Sequence, residues 1–284
     1  MFRWLAGLGA RDREVDEVLQ RISPQQWQSV QATLPFLAGL SAEELDRLRY
    51  KTAWFLASKR FSAAHDLKLT DDMMLSIGMQ ACLPILNLDT SLYEGWTQVI
   101  VYPGAFMIPR SEVDDAGVVH EYMTPASGEA WDGGPVILSW DDVEHDHHGC
   151  VNVVIHEFAH KLDLFNGQAD GVPAITNPTA HAPLSNGDWH QCLTAALEVF
   201  RDHVDHVERS IPYAIDPMSD LADPWYASLP MDPYAASDQA EFFAVSSEVF
   251  FVSPERLKQA YPQWYEVLSR YYLQDPLGRL KTSP

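Results

Sequence analysis

The stretch VVIHEFAHKLDLFNG, residues 153–167, sets two histidines four positions apart with a glutamate directly after the first. On a helix, positions i and i+4 share a face, so His156 and His160 can offer ring nitrogens to one metal ion. Imidazole is a borderline ligand that suits zinc, and a catalytic zinc ordinarily has three protein ligands plus water. Glu157 stands one position round from the first histidine, where its carboxylate reaches a metal-bound water rather than the metal. Zinc lowers the pKa of such a water toward about 7, within range of a carboxylate base. An H-E-x-x-H spacing on a helix is the pattern of metal-dependent peptide hydrolysis.

Two histidines leave the set one ligand short. The segment YAASDQAEFFAVSSEVFF, residues 234–251, carries acidic residues inside an apolar helical run. Glu241 and Glu248 are seven apart and share a face. A carboxylate on an apolar face costs several kcal/mol if buried without a partner, and a metal is such a partner. On residue type and spacing alone the two glutamates are equal candidates. Asp163, three beyond His160, is a further candidate: a ligand, an acceptor for a ligand imidazole or nearby backbone, or part of a helix-ending turn.

These residues must be held by elements that the pattern also outlines. The first 85 residues read as helical. Ser23-Pro24 and the capping box Ser41-Ala42-Glu43-Glu44 open two helices, the second with apolar residues running toward Phe61; Thr70-Asp71-Asp72 opens a third. Between about 97 and 140, TQVIVYP, AFMIP, GVVHEYM and GPVILSW read as short strands of a small sheet. The helix of the histidines follows, then a mixed loop over about 165–186 and a helix over about 187–206. Residues 207–233 hold five prolines and read as irregular. The glutamate-bearing helix and one or two closing helices complete the chain. The expected fold class is α+β, with a helical N-terminal region, 1–90, packed on a core, 91–284, as one compact unit.

Composition narrows the function. The chain of 284 residues is 46% hydrophobic, enough for a substantial core. It has no run of about 18 apolar residues, so no membrane span is expected. A formal net charge of −21 repels phosphate backbones and anionic lipid, which argues against direct nucleic-acid or membrane binding and favours cationic substrates and basic partners. Cys82, Cys150 and Cys192 form no CxxC pair and read as free thiols in a reducing compartment. The start MFRWLAGLGARDRE reads as the entry to a helix rather than a leader, so a cytoplasmic location is expected.

The blocks QACLPILNLDTSLYEGWTQVIVYPGAF, GEAWDGGPVILSW, NVVIHEFAHKLDLFNG and DPYAASDQAEFFAVSSEVFF resemble the Mlc titration factor A family of bacterial cytoplasmic zinc peptidases, over nearly the whole chain. The pairing of HEFAH with a later AEFFA is also similar to the lethal-factor group of zinc peptidases. The resemblance implies a zincin-like core of a small sheet plus active-site helices. It implies one catalytic Zn2+ held by His156, His160 and Glu241, with Glu157 as base. It further implies that Tyr234, seven before Glu241, assists the transition state as an oxyanion donor. For function, it implies aminopeptidase-like cleavage of short peptides. It also implies binding of the glucose-responsive repressor Mlc, which links the family to phosphotransferase sugar uptake. A non-catalytic anti-repressor with a vestigial site is the alternative. The stretches IPYAIDPMSDLADPWYASLPM and EHDHHG depart from the family pattern, which bears on the partner more than on the metal.

Three further signals carry less. Asp141, Asp142, Glu144, His145, Asp146, His147 and His148 crowd one polar loop but lack helical register, and read as solvated. His203 and His206, flanked by acids, read as a solvated helix face. An exposed strand edge beside the metal helix could bind a peptide backbone; GPVILSW and residues 104–108 are the candidates, although Val136-Ile137-Leu138 suits a core strand better.

Overall fold

The computed structural model describes residues 5–113, 119–144, 151–182, 184–217 and 219–282. It is a mixed helical and sheet fold of the α+β class. The N-terminal part contributes α1 (Leu5–Arg21), α2 (Pro24–Ala32), α3 (Ala42–Ser58), strand β1 (Arg60–Ala63) and α4 (Asp71–Cys82). Then come β2 (Gln98–Tyr102), β3 (Phe106–Val113), β4 (Val119–Ala126), β5 (Gly128–Ala130) and β6 (Val136–Ser139). The helices α5 (Trp140–Glu144), α6 (Val153–Asp163), α7 (Asn186–Glu208), α8 (Asp223–Tyr226), α9 (Gln239–Val252), α10 (Pro254–Ala260), α11 (Pro262–Tyr272) and α12 (Pro276–Thr282) follow.

The helix starts are set by local chemistry. The Ser23 side chain accepts from Gln26 N, with Pro24 in the first turn. Ser41 and Glu44 satisfy each other's backbone N–H reciprocally. The side chains of Asn152 and Asp238 cap α6 and α9 by accepting from Ile155 N and Glu241 N. Each cap satisfies an N–H that the helix itself leaves unpaired.

One boundary differs from the sequence reading. The apolar periodicity of α3 points on toward Phe61, but the helix ends at Ser58 and Arg60–Ala63 form β1. The cause is non-local: β1 pairs in parallel with β2, Phe61 opposite Val99. Lys59 at the junction donates to the carbonyls of Tyr93 and Trp96 at 2.5 and 2.8 Å.

The main sheet has the order β1-β2-β6-β5, with β1, β2 and β6 parallel and β5 antiparallel to β6. Strand β6 is therefore interior, and Val136, Ile137 and Leu138 are buried. Strands β1 and β5 are the two edges. Strands β3 and β4 form a separate antiparallel hairpin.

Buried apolar residues from Val15 to Tyr272 form one contiguous cluster. Phe158 on the rear of α6 packs on Phe55, Tyr93 and Trp96, with ring centroids 5.4, 5.2 and 5.8 Å away. Helix α9 is buried nearly throughout, and Phe243 packs against Trp189 and Tyr271. Among the described residues, no helix is long and apolar enough to cross a membrane. Cys82 is buried, and burial pushes its thiol up to about 12; Cys192 is a half-buried free thiol, and Cys150 lies outside the described residues.

Candidate metal centre

Helix α6 presents His156 and His160 toward α9, and the first turn of α9 presents Glu241 toward them. Glu241 Oε2 is 3.2 Å from His156 Nε2 and 3.3 Å from His160 Nε2, and the two Nε2 atoms are 3.1 Å apart. Bonds of about 2.0–2.1 Å to a tetrahedral zinc place ligand atoms about 3.3 Å from one another. The spacing of the three atoms therefore fits a zinc-sized ion, and they form a group that could hold a metal. Glu241 Oε2 is buried with no hydrogen-bond partner, as expected of an acceptor aimed at a cation.

The field at the site agrees. Burial alone would raise the Glu241 carboxyl, but contact with both imidazoles holds it well below the usual range. Burial alone would lower His156, but Glu241 and Glu248 carry it well above its ordinary value. Two carboxylates crowding one imidazole make a site that takes up positive charge.

Glu248 occupies a different position from Glu241. Its Oε1 lies 2.7 Å from His156 Nδ1, the nitrogen on the far side of the ring, and its Oε2 accepts from Asn152 N at 2.5 Å. Burial pushes the Glu248 carboxyl up, against the pull of His156. A carboxylate on Nδ1 fixes the tautomer and aims the Nε2 lone pair. Asn152 links three helices at this point. Its side chain accepts from Ile155 N and donates to Gln80 Oε1 on α4, while its backbone N–H goes to Glu248 on α9.

Glu157 is buried, and burial pushes its carboxyl up to about 7, opposed by the nearby imidazoles. It faces Gly128 on β5, where a Cβ would fall 2.4 Å from Glu157 Oε1. Tyr234 is half-exposed; its hydroxyl donates to Glu241 Oε1 at 3.3 Å and its ring is 6.5 Å from that of His156. Asp163 is fully buried and is not one of the three grouped ligands. Its Oδ2 accepts from Gly171 N at 2.8 Å, and burial pushes the carboxyl up to about 7. Gly171 has φ +74, a Cβ there would meet Gln239 O at 2.3 Å, and its carbonyl accepts from Trp189 Nε1. Asp163 thus holds the loop that seats the start of α9, two residues before Glu241.

His156, Glu157, His160, Tyr234, Glu241, Glu248 and Gly128 line a cleft of about 570 Å3. Its walls are β5, the Ile108 and Thr124 face of the β3–β4 hairpin, and Asp232, Asp238 and Val245. His203 and His206 are exposed on α7, remote from the triad. Of the polar loop after β6, Asp141, Asp142 and Glu144 lie on α5, whereas His145, Asp146, His147 and His148 lie outside the described residues.

The glucose-regulated metallo-peptidase M90 family profile matches residues 10–273. The chain belongs to this M90 metallopeptidase family. Relatives called Mlc titration factor A agree. That of Pectobacterium atrosepticum is 38% identical over 262 residues, covering 91% of this chain and 89% of the relative. Those of Serratia proteamaculans and Yersinia enterocolitica are 36% and 37% identical, each over 90% of this chain and 89% and 88% of the relative. Membership of M90 makes this a metallopeptidase-type protein, and the family implies a metal ion for which the His156, His160 and Glu241 cluster is suited.

Sequence reasoning missed Gly128, Asn152 and Lys161 around the site. Only Lys161 left a signal, a lysine one helical turn beyond Glu157 on an otherwise apolar helix.

Proposed function

We propose that this protein is a zinc-dependent peptidase that cleaves short peptides in an aminopeptidase-like manner. The observation that carries the reading is the triangle of His156 Nε2, His160 Nε2 and Glu241 Oε2, with sides of 3.1–3.3 Å. In this reading those residues hold Zn2+. Zinc, when bound, supplies a Lewis acid that polarises the scissile carbonyl and acidifies water. Glu157 takes the proton of the attacking water and passes it to the leaving amine; its buried carboxylate beside the two imidazoles is placed for both transfers. Tyr234, at the cleft, donates its phenolic hydrogen to the developing oxyanion. The peptide backbone lies along β5 at the wall of the cleft. The cleft lining, among the described residues, includes Glu129, Asp232 and Asp238 but no lysine or arginine, which suits a substrate with a free positive amine. Residues 1–90 act as a helical extension packed on the catalytic core, 91–284.

Metal analysis of the purified protein should return one zinc per chain, lost in His156→Ala. Peptide cleavage should be abolished by a chelator and by Glu157→Gln. Full activity in Glu157→Gln removes that residue from the mechanism.

We also propose a regulatory role in the cytoplasm through binding the Mlc repressor, with no direct contact to nucleic acid or membrane. The name of the relatives and the description glucose-regulated support it. The charge of −21 suits the basic DNA-binding face of a repressor. Glu157→Gln should keep repressor binding while losing cleavage. If Glu157→Gln keeps repressor binding and the wild type itself cleaves no peptide, the protein is an anti-repressor with a vestigial site. Pull-downs that recover no transcription factor from the host sink the regulatory role.

A further inference from the structure

Helix α6 directs two polar side chains at the β5–β6 hairpin, Glu157 and Lys161, one turn apart on the same face. The hairpin lies along the helix and meets it at both points. At one, Gly128 abuts the base: a Cβ would lie 2.4, 2.6 and 2.7 Å from Glu157 Oε1, Cγ and Cδ. Glycine is what lets the backbone come so near. At the other, Lys161, only 3% exposed, donates to the carbonyls of Trp131 and Gly134 at 2.5 and 2.9 Å, in the turn joining β5 to β6. A buried ammonium is costly unless paired, and charge-assisted bonds are strong and directional. The Trp96 ring lies 4.8 Å beneath Nζ and closes the seat.

We infer that Lys161 and Gly128 are positioning residues that set the distance between the edge of β5 and Glu157, so that a peptide on that edge meets the base without adjustment. This rests on the peptidase reading above. Lys161 acts on substrate through the hairpin, and Gly128 acts on the base through the room it leaves.

The fold contains its own control. Lys59 is also buried, stands 3.7 Å over the same Trp96 ring and donates to two loop carbonyls, those of Tyr93 and Trp96, but that loop leads into β2, which does not line the cleft, whereas the turn held by Lys161 leads out of β5, which does. If Lys161 were only a structural anchor, Lys59→Met and Lys161→Met would behave alike.

The experiment compares Lys161→Met, Lys59→Met and Gly128→Ala with the zinc-loaded wild type on one peptide substrate, with melting temperature and zinc content measured alongside. Both lysine variants should melt lower. Lys161→Met should raise KM about tenfold with a smaller fall in kcat, whereas Lys59→Met should leave both unchanged. Gly128→Ala should lower kcat about a hundredfold at unchanged zinc content, the size of a displaced general base. Wild-type KM in Lys161→Met, or wild-type kcat in Gly128→Ala, overturns the assignment while leaving the peptidase reading in place. A wild type that cleaves no peptide overturns both.

Discussion

Glu248 offers the sharpest test of how the metal centre is organised. It is 3% exposed and its two oxygens have separate duties: Oε1 takes the His156 Nδ1 proton at 2.7 Å, and Oε2 takes the Asn152 N–H at 2.5 Å. In Glu248→Ala the imidazole loses the partner that fixes its tautomer and ring angle. Removing such a partner lowers metal affinity about 10–100-fold, or about 1.4–2.7 kcal/mol. The variant also strands the Asn152 N–H beside a small void, which costs about 1–3 kcal/mol of stability. Glu248→Gln keeps an acceptor for Nδ1 but sets its amide N–H against the Asn152 N–H, so its loss of metal affinity should be smaller while the stability cost remains. Zinc affinity is read by competition with a chromogenic chelator and stability by urea denaturation of the metal-free protein. His203→Ala, exposed on α7, reports stray zinc uptake and should change neither. A folded Glu248→Ala protein that binds zinc as tightly as the wild type would falsify the proposed role of the Nδ1 contact.

Asp163 predicts a pH dependence. Its folded-state value, about 7, lies above the ordinary 3.8, so the folded protein holds this proton more firmly than the unfolded chain does. Its contribution is complete below about pH 4 and is lost as pH rises to about 7, at up to about 1.4 kcal/mol per pH unit. Asp163→Asn should therefore gain on the wild type between pH 4 and 7 in denaturation midpoints; a constant difference across that range contradicts the assignment. Tyr234→Phe should lower kcat about a hundredfold with zinc content intact, and an unchanged kcat would place the phenol outside the chemistry. Phe158→Ala should cost about 3–5 kcal/mol, because the ring is fully buried among Phe55, Tyr93 and Trp96. A smaller loss would mean that the rear of α6 repacks.

The metal helix was legible because its chemistry is local: two histidines and a glutamate within five residues, on a periodic apolar background. The choice between Glu241 and Glu248 was not legible from spacing. Both lie on the same face of α9, and what separates them is which nitrogen of His156 each oxygen reaches, a matter of how α6 and α9 cross. Strand β1 was hidden because its partner is supplied by β2, far along the chain, while its residues continue the periodicity of α3. Strand β5 has three residues, one of them glycine, and offers no alternation to detect, yet it forms a wall of the cleft beside Glu157. Lys161 is buried only because the turn between β5 and β6 folds over it and accepts its bonds, a contact that the helix alone does not reveal.

Asn152 joins two events that other arrangements would keep apart. The same residue begins the helix of the histidines and, through its main-chain amide, anchors the carboxylate that orients the first of them. The ring of His156 is therefore held in place only when the cap of α6 has formed and α9, with Glu248 ninety-six residues further on, has docked against it.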